Sequence, residues 1–378
     1  PEGILIVNTD IKGSVNDLLI NKLTVSGLDE LNVDLSGSLK NATDQDNLYF
    51  DLNIAEISSS SKTIYNSVPD NTIPSNITLP EQFSIKGNAK GSIKVMEANL
   101  DFISTLGNAV IDAKADMLVK DQEKYDLKAN LSDFQVGKII QNDDIGAVSL
   151  QINAKGESFN IDSMKTGIDG QIRSAVYNGY NYQNVDLNGS INLGNYNIVI
   201  NSADSNANLN ITASGIYNET NPTVKVNGEI IKLDFKKLNF YENTMIIAGK
   251  IDADFQSLNP DSLNGYLNLK DFSFTDSTGL NPIQEINLNA FSKEDSNKIV
   301  FNSQVADLEL SGNYELTEVF GLLAKTVNQY YRFQEPDSTE QNLSEQHFKL
   351  NATVKNDDLI RKIVPELKSF DTIVLAAN

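Results

Sequence analysis

The chain has 378 residues, of which 51 are acidic and 30 basic, for a net charge of −21 at pH 7. Such a chain repels phosphate backbones and gains nothing from anionic bilayer surfaces, so no nucleic-acid partner is expected. Hydrophobic residues make up 40% of it, enough for a large core. Cysteine is absent and His347 is the only histidine, which removes disulfides, thiolate chemistry, multi-histidine metal sites and a Ser-His-Asp triad.

In chain order, the sequence opens on a strand-like run, Ile4-Leu5-Ile6-Val7, with no signal peptide ahead of it. Period-two alternation then dominates. Leu48, Phe50, Leu52 and Ile54 share a phase against Asp51 and Asn53. A short helix is expected over 58–67, ended by a proline-rich stretch that reaches Pro80, and another over 136–141. Val148, Leu150, Ile152 and Ala154 alternate with Gln151, Asn153 and Lys155, and Val185, Leu187 and Ile191 with Asp186, Asn188 and Asn192. Ala207, Leu209, Ile211 and Ala213 follow, then Met245, Ile247, Ile251, Ala253 and Phe255. Leu263, Leu267 and Leu269 precede Ile286, Leu288 and Ala290, and after these come Ile299, Phe301 and Val305, then Leu308, Leu310 and Tyr314. An apolar stripe over 315–331 predicts the longest helix, either core or a plug for a groove; core is the reading its amphipathicity favours. Phe348, Leu350, Ala352 and Val354 form a further strand, and a short helix is expected over 357–363 before Pro365. The chain closes on Ile373-Val374-Leu375, and both ends read as cut from a longer protein.

Each strand carries one apolar and one polar face, the pattern of an antiparallel or mixed sheet wetted on one side. Glycines recur on the apolar phase, at Gly87, Gly91, Gly189, Gly215, Gly228, Gly249, Gly265 and Gly312, which predicts strong curvature about that side. No composition break reads as a linker, so one elongated domain over 1–378 is expected. The predicted class is mostly all-β: a long curled sheet forming a taco-like apolar groove, with a few short helices. Candidate groove-lining positions are Phe50, Leu52, Leu150, Ile152, Leu187, Ile191, Leu209, Ile211, Ile247, Ile251, Phe255, Leu267, Leu269, Leu288, Phe301, Val305, Leu310 and Leu350.

Chemistry-bearing constellations are sparse. Asp252 and Asp254 flank Ala253, but alternation makes them solvated carboxylates, without the burial a catalytic acid needs. Asp204-Ser205-Asn206-Ala207-Asn208 begins like a calcium loop yet lacks the turn glycine and the closing glutamate, and reads as a turn. Tyr177, Tyr180 and Tyr182 surround Asn178-Gly179, a hairpin signal rather than a sugar platform. No phosphate loop is present, no cofactor or metal site is expected, and no catalysis is predicted. An enzyme acting on polysaccharide through paired carboxylates is the least favoured reading.

Segment 175–189, AVYNGYNYQNVDLNG, resembles a recurring stretch of the TamB-like proteins of Bacteroidetes. Asp254 to Gly265 is similar to the same family, as are Leu79 to Gly91, Leu131 to Gly146, and Ser311-Gly312-Asn313-Tyr314 with Tyr330-Tyr331. That family belongs to the AsmA-like bridge proteins. The resemblance implies an internal periplasmic fragment of a protein anchored to the inner membrane. It further implies a groove that conducts phospholipid or other acyl-chain ligands towards the outer membrane. An Omp85-type outer-membrane partner, met through regions outside this segment, and support of outer-membrane protein assembly are also implied. The competing expectation is a structural or adhesive β-solenoid with a solid core and no lipid.

Overall fold

The computed structural model describes residues 4–28, 30–68, 72–294, 296–319, 321, 346–363 and 369–377. It is 66% strand and 7% helix, and its 21 antiparallel strands belong to a sheet that does not close. Contacts divide the chain into two compact units. One is Pro1–Gly194 with Ile198–Ala207 and Lys237–Asn239, the other Asn195–Asn197 with Asn208–Lys236 and Phe240–Asn378.

In the first unit the strands are β1 (Leu5–Ser14), β2 (Asp17–Gly27), β3 (Leu31–Lys40), β4 (Tyr49–Ser60), β5 (Gln82–Ser92) and β6 (Val95–Ser104). After them come β7 (Gly107–Asp116), β8 (Lys124–Gln135), β9 (Ile145–Glu157), β10 (Lys165–Tyr177) and β11 (Tyr180–Asn192). Each pairs antiparallel with the next from β1 to β11. Beyond them lie β12 (Asn195–Ala203) and β13 (Ala207–Ile216). The second unit continues with β14 (Val224–Asp234), β15 (Ile246–Ser257), β16 (Asn264–Asp276), β17 (Gly279–Lys293), β18 (Ser296–Ser303), β19 (Ala306–Asn313), β20 (His347–Val354) and β21 (Ile373–Ala377). From β14 to β21 each again pairs with its successor.

Turn chemistry and bulges set the registers. Asn178 and Gly179 take positive φ of 49° and 73°, as a two-residue type I′ turn requires, and Tyr177 faces Tyr180 across it. Ile54 and Ile57 are three apart and by simple alternation would face opposite sides. A bulge between them sets Ile54 opposite Gly87 and Ile57 opposite Ile85, so both stay on the apolar side. The irregularity between Ile20 and Leu23 does the same in β2. Gly87 has φ +134°, and a Cβ there would strike the backbone carbonyl of Asn99, so the close approach of β5 to β6 demands glycine.

Helices are short: α1 (Ser61–Ser67), α2 (Val136–Ile140) and α3 (Asp358–Ile363). β4 runs on to Ser60, which caps α1 by accepting from the Thr63 amide at 3.3 Å, so this helix begins later than the expected 58. Of the helix expected over 315–331, residues 316–319 and 321 are helical, and the remainder lies outside the described residues.

Candidate functional site

Register turns alternating strands into continuous rows. One row crosses β1 to β11 through Thr9, Leu23, Leu35, Ile54, Gly87, Leu100, Ile111, Ala129, Ile152, Gly170 and Leu187. Beside it runs a row of small residues and leucines: Gly37, Leu52, Ala89, Ala98, Ala113, Leu127, Ala154, Ile168 and Gly189. Phe50 and Ile191 belong to a third row that includes Met96, Ala115 and Tyr125, while Leu150 stands in a fourth with Ile85, Phe102, Leu131 and Ile172. At about 4.8 Å per strand, eleven strands carry this apolar face some 48 Å across. Ile20, Ile54 and Ala109 are its buried hydrophobic side chains; Phe50, Leu52, Leu150, Ile152, Leu187 and Ile191 are half-buried. Soluble monomers rarely leave an apolar surface of this extent bare.

The opposite face of the same strands is mostly polar. Asn53, Asn88, Asn99, Asp112, Lys128, Asn153, Asp169 and Asn188 form one row, all exposed. The next row alternates in charge: Asp51, Lys90, Glu97, Lys114, Asp126 and Lys155. Ion pairs close along it at 2.9 Å for Lys90–Asp51, 3.2 Å for Lys114–Glu97 and 2.9 Å for Lys155–Asp126. The Lys155 hydrogen bond holds the Asp126 carboxyl below its ordinary range, and Asp51 raises the Lys90 ammonium. Both faces follow from one rule, that successive side chains alternate across a strand.

In the second unit, Val226, Ala253, Leu267, Leu288, Phe301, Leu308, Ala352 and Leu375 form one row. Val224, Phe255, Gly265, Ala290, Ile299, Leu310, Leu350 and Ala377 form another. Ile251 and Leu269 pair in a third, which Ile286 extends. Ile247 faces Leu233 and Phe274 beyond the bulges. Ile211 lies against Gly228, and Leu209 shares its phase in β13. This face is partly filled. Tyr314 and Val319 pack on Ala290, Ile299 and Leu310, with Leu288 and Leu350 beside them, so Leu310 lies within a core cluster. Phe255 is buried as well. Val305 is the exception among the expected positions: it occupies the turn between β18 and β19, where its carbonyl accepts from the Lys355 amide at 2.9 Å, and belongs to no strand phase.

The polar constellations resolve into structure. Asp254 pairs with Lys225 at 3.4 Å on the polar face. Asp204, only 3% exposed, accepts from the Tyr180 hydroxyl (2.7 Å) and from the amides of Gln183, Asn206 and Ala207 (2.8–3.0 Å). Burial pushes its carboxyl up, but those hydrogen bonds outweigh it and hold the group below the ordinary carboxylate range. It is a turn anchor. Tyr180 and Tyr182 meet edge to face at 4.9 Å. Among the described residues no group of three acidic or histidine side chains could hold a metal ion, and no helix is long and apolar enough to cross a membrane.

Leu23, Leu35, Leu100, Ile111, Leu127, Ile168 and Ile172 share the apolar face of the first unit but are missing from the positions chosen by sequence. Their strands dilute the leucine and isoleucine signal with alanine and glycine, as in Ala109-Val110-Ile111-Asp112-Ala113. Cavities at the margins of this unit include one of 470 Å³ where β4 and β6 end and β5 begins, one of 390 Å³ beside Met96, Ala115, Tyr125 and Gly156, and one of 660 Å³ lined by Thr78, Leu106, Lys138 and Gln141. Family models, curated proteins and solved structures yield no match to the chain.

Proposed function

We propose that this chain is a lipid-carrying β-sheet segment that binds phospholipid acyl chains along its apolar face without catalysis. The observation that supports it is the eleven-strand row from Thr9 to Leu187, whose leucine and isoleucine side chains, Ile54 apart, stay half-buried instead of closing into a core. Each methylene laid on such a surface gains up to about 0.8 kcal/mol over water, so an acyl chain repays the exposure that folding leaves. Small residues in the neighbouring row, Gly37, Ala89, Ala98, Ala113, Ala154 and Gly189, leave room above the backbone for that chain. The asparagine and charge rows keep the other face in water. Together with the resemblance to TamB-like bridge proteins, this supports the reading of a periplasmic segment of an inner-membrane-anchored protein. There it carries phospholipid towards an outer membrane whose Omp85-type protein is met elsewhere in the full chain.

The packing of Tyr314 and Val319 on Ala290, Ile299 and Leu310 favours a second reading for the second unit, a filled β core that carries no lipid. Mass spectrometry of organic extracts from the purified chain separates the two. Phospholipid above the level on a control β protein handled identically is expected. Lipid-free protein that also takes up no lipid from vesicles leaves only the filled-core reading.

A further inference from the structure

Turn apices ordinarily take glycine, asparagine, aspartate or serine, which tolerate the backbone of a turn and favour water. At one margin of the first unit they do not. Successive turns there carry Ile93 between β5 and β6, Met117, Leu118 and Val119 between β7 and β8, Phe159 between β9 and β10, and Leu193 after β11, all exposed. The turns at the opposite margin carry Glu30, Thr105, Asp143, Asp144 and the pair Asn178-Gly179 instead. Ile103 and Ile140, exposed near that margin, lie in β6 and α2 and not at a turn apex. Leu193-Gly194 and Asn178-Gly179 are the same kind of two-residue turn, with φ of 51° and 77° against 49° and 73°. Asparagine suits that left-handed position and leucine does not, so Leu193 carries backbone strain as well as exposure. Phe159 is held upright by stacking on Tyr125 at 4.9 Å, and the Tyr125 hydroxyl is fixed by that of Thr166 at 2.5 Å. Tyr125 belongs to the apolar row of Met96 and Ala115, so this apex is continuous with the apolar face.

We propose that this margin seats in the interface of a lipid bilayer, with Ile93, Leu118, Phe159 and Leu193 dipping below the headgroups. Strand spacing sets neighbouring apices about 10 Å apart, four of them over about 29 Å. A stable protein partner, or a second copy of this chain, needs a contiguous, complementary patch of about 800 Å² on each side, which separate convex apices do not supply. A fluid bilayer closes around each apex on its own and needs no such match. Lys94 and Lys120, exposed beside Ile93 and Val119, then reach the level of the lipid phosphates while their stems lie along the apolar boundary. A chain of net charge −21 gains nothing from an anionic surface, so the contact is hydrophobic and does not depend on headgroup charge. The inference goes beyond lipid carriage, since it names a membrane contact. Through Phe159 and Tyr125 it also gives acyl chains a path from that membrane onto the apolar face.

The test floats the purified chain with neutral phosphatidylcholine vesicles through a density gradient, at low salt and at about 1 M salt, where charges are screened within about 3 Å. The chain is expected to float with the vesicles at both. Leu118→Ser combined with Phe159→Ser is expected to lower the vesicle-bound fraction roughly tenfold with strand circular dichroism unchanged, because both side chains are exposed. Ile103→Ser removes an equally exposed side chain at the opposite margin and is expected to leave binding alone. Because the chain has no cysteine, Leu193→Cys and Thr105→Cys can each carry a single environment-sensitive fluorophore. On vesicles, emission is expected to shift to the blue from the Leu193 position and to stay unchanged from the Thr105 position. Equal flotation of the double variant and Ile103→Ser, equal blue shifts at both labelled positions, or binding lost at high salt overturns the membrane assignment. So does a chain that never floats. Lipid carriage stands apart from these outcomes, since it is read from the lipid extracted with the protein.

Discussion

At the scale of single residues the informative positions are those where burial and polarity conflict. Tyr314 is 3% exposed, its hydroxyl has no partner, and burial pushes its pKa up to about 12. The folded pKa lies above the unfolded value near 10, so the folded state keeps a proton that the unfolded state gives up. Stability from this group is therefore complete below pH 10 and declines as pH rises towards 12. Tyr314→Phe keeps the ring that meets Phe348 edge to face at 6.4 Å and discards the stranded hydroxyl. Thermal melts of the two proteins at pH 7 and pH 11 are expected to show the variant at least as stable at neutral pH and clearly more stable at pH 11. Equal alkaline losses in both would mean that another group governs the base transition. The sequence placed Tyr314 on an apolar phase, but nothing in it announced the unpartnered hydroxyl, which depends on what packs above β19.

At the scale of the strand, the row Asp51, Lys90, Glu97, Lys114, Asp126 and Lys155 couples six neighbouring elements. Each pair alone is exposed and weak, yet the alternation penalises any slip, because a shift of one residue carries the row onto the apolar side. Lys114→Glu sets three acids side by side with Glu97 and Asp126. Like charges directly opposite one another destabilise a strand pair, and a loss of about 3 °C in Tm at low salt is expected. Raising the salt to 1 M, where the screening length falls to about 3 Å, should recover most of it. A loss that persists in salt would point to packing by the Lys114 stem instead of charge. This row was not legible from sequence, since each charge merely alternates with apolar neighbours. Only the register brings β4 to β9 into line, and register depends on bulges such as the one between Ile54 and Ile57. Strand identity was legible for the opposite reason: alternation is local, and β9 and β11 follow it residue by residue.

At the scale of the whole molecule, the fold class followed from alternation, asparagine-rich turns and apolar-phase glycines, whereas occupancy of the apolar face depends on what lies over it. Val305 shows where alternation fails, because a turn interrupts the phase after Ser303. Leu310 shows a second limit, since its phase was right but Tyr314 and Val319 cover it. These differences give lipid carriage a graded test. A photo-crosslinking amino acid at Ile152 or Leu187, half-buried on the open face of the first unit, should capture acyl chains. The same probe at Asn153 or Asn188, one residue along and exposed on the polar face, should not. At Leu310 capture is expected to be low despite the apolar phase, because protein already fills that space. Ile152→Arg sets an unpaired charge in the path of acyl chains and should lower lipid occupancy, while its half-exposed site lets the chain keep its strand circular dichroism. In a filled β core the results differ: the arginine variant unfolds and no position captures lipid. Equal capture at Ile152 and Asn153 would defeat both pictures of a directed face, since it means that lipid adheres without regard to strand phase.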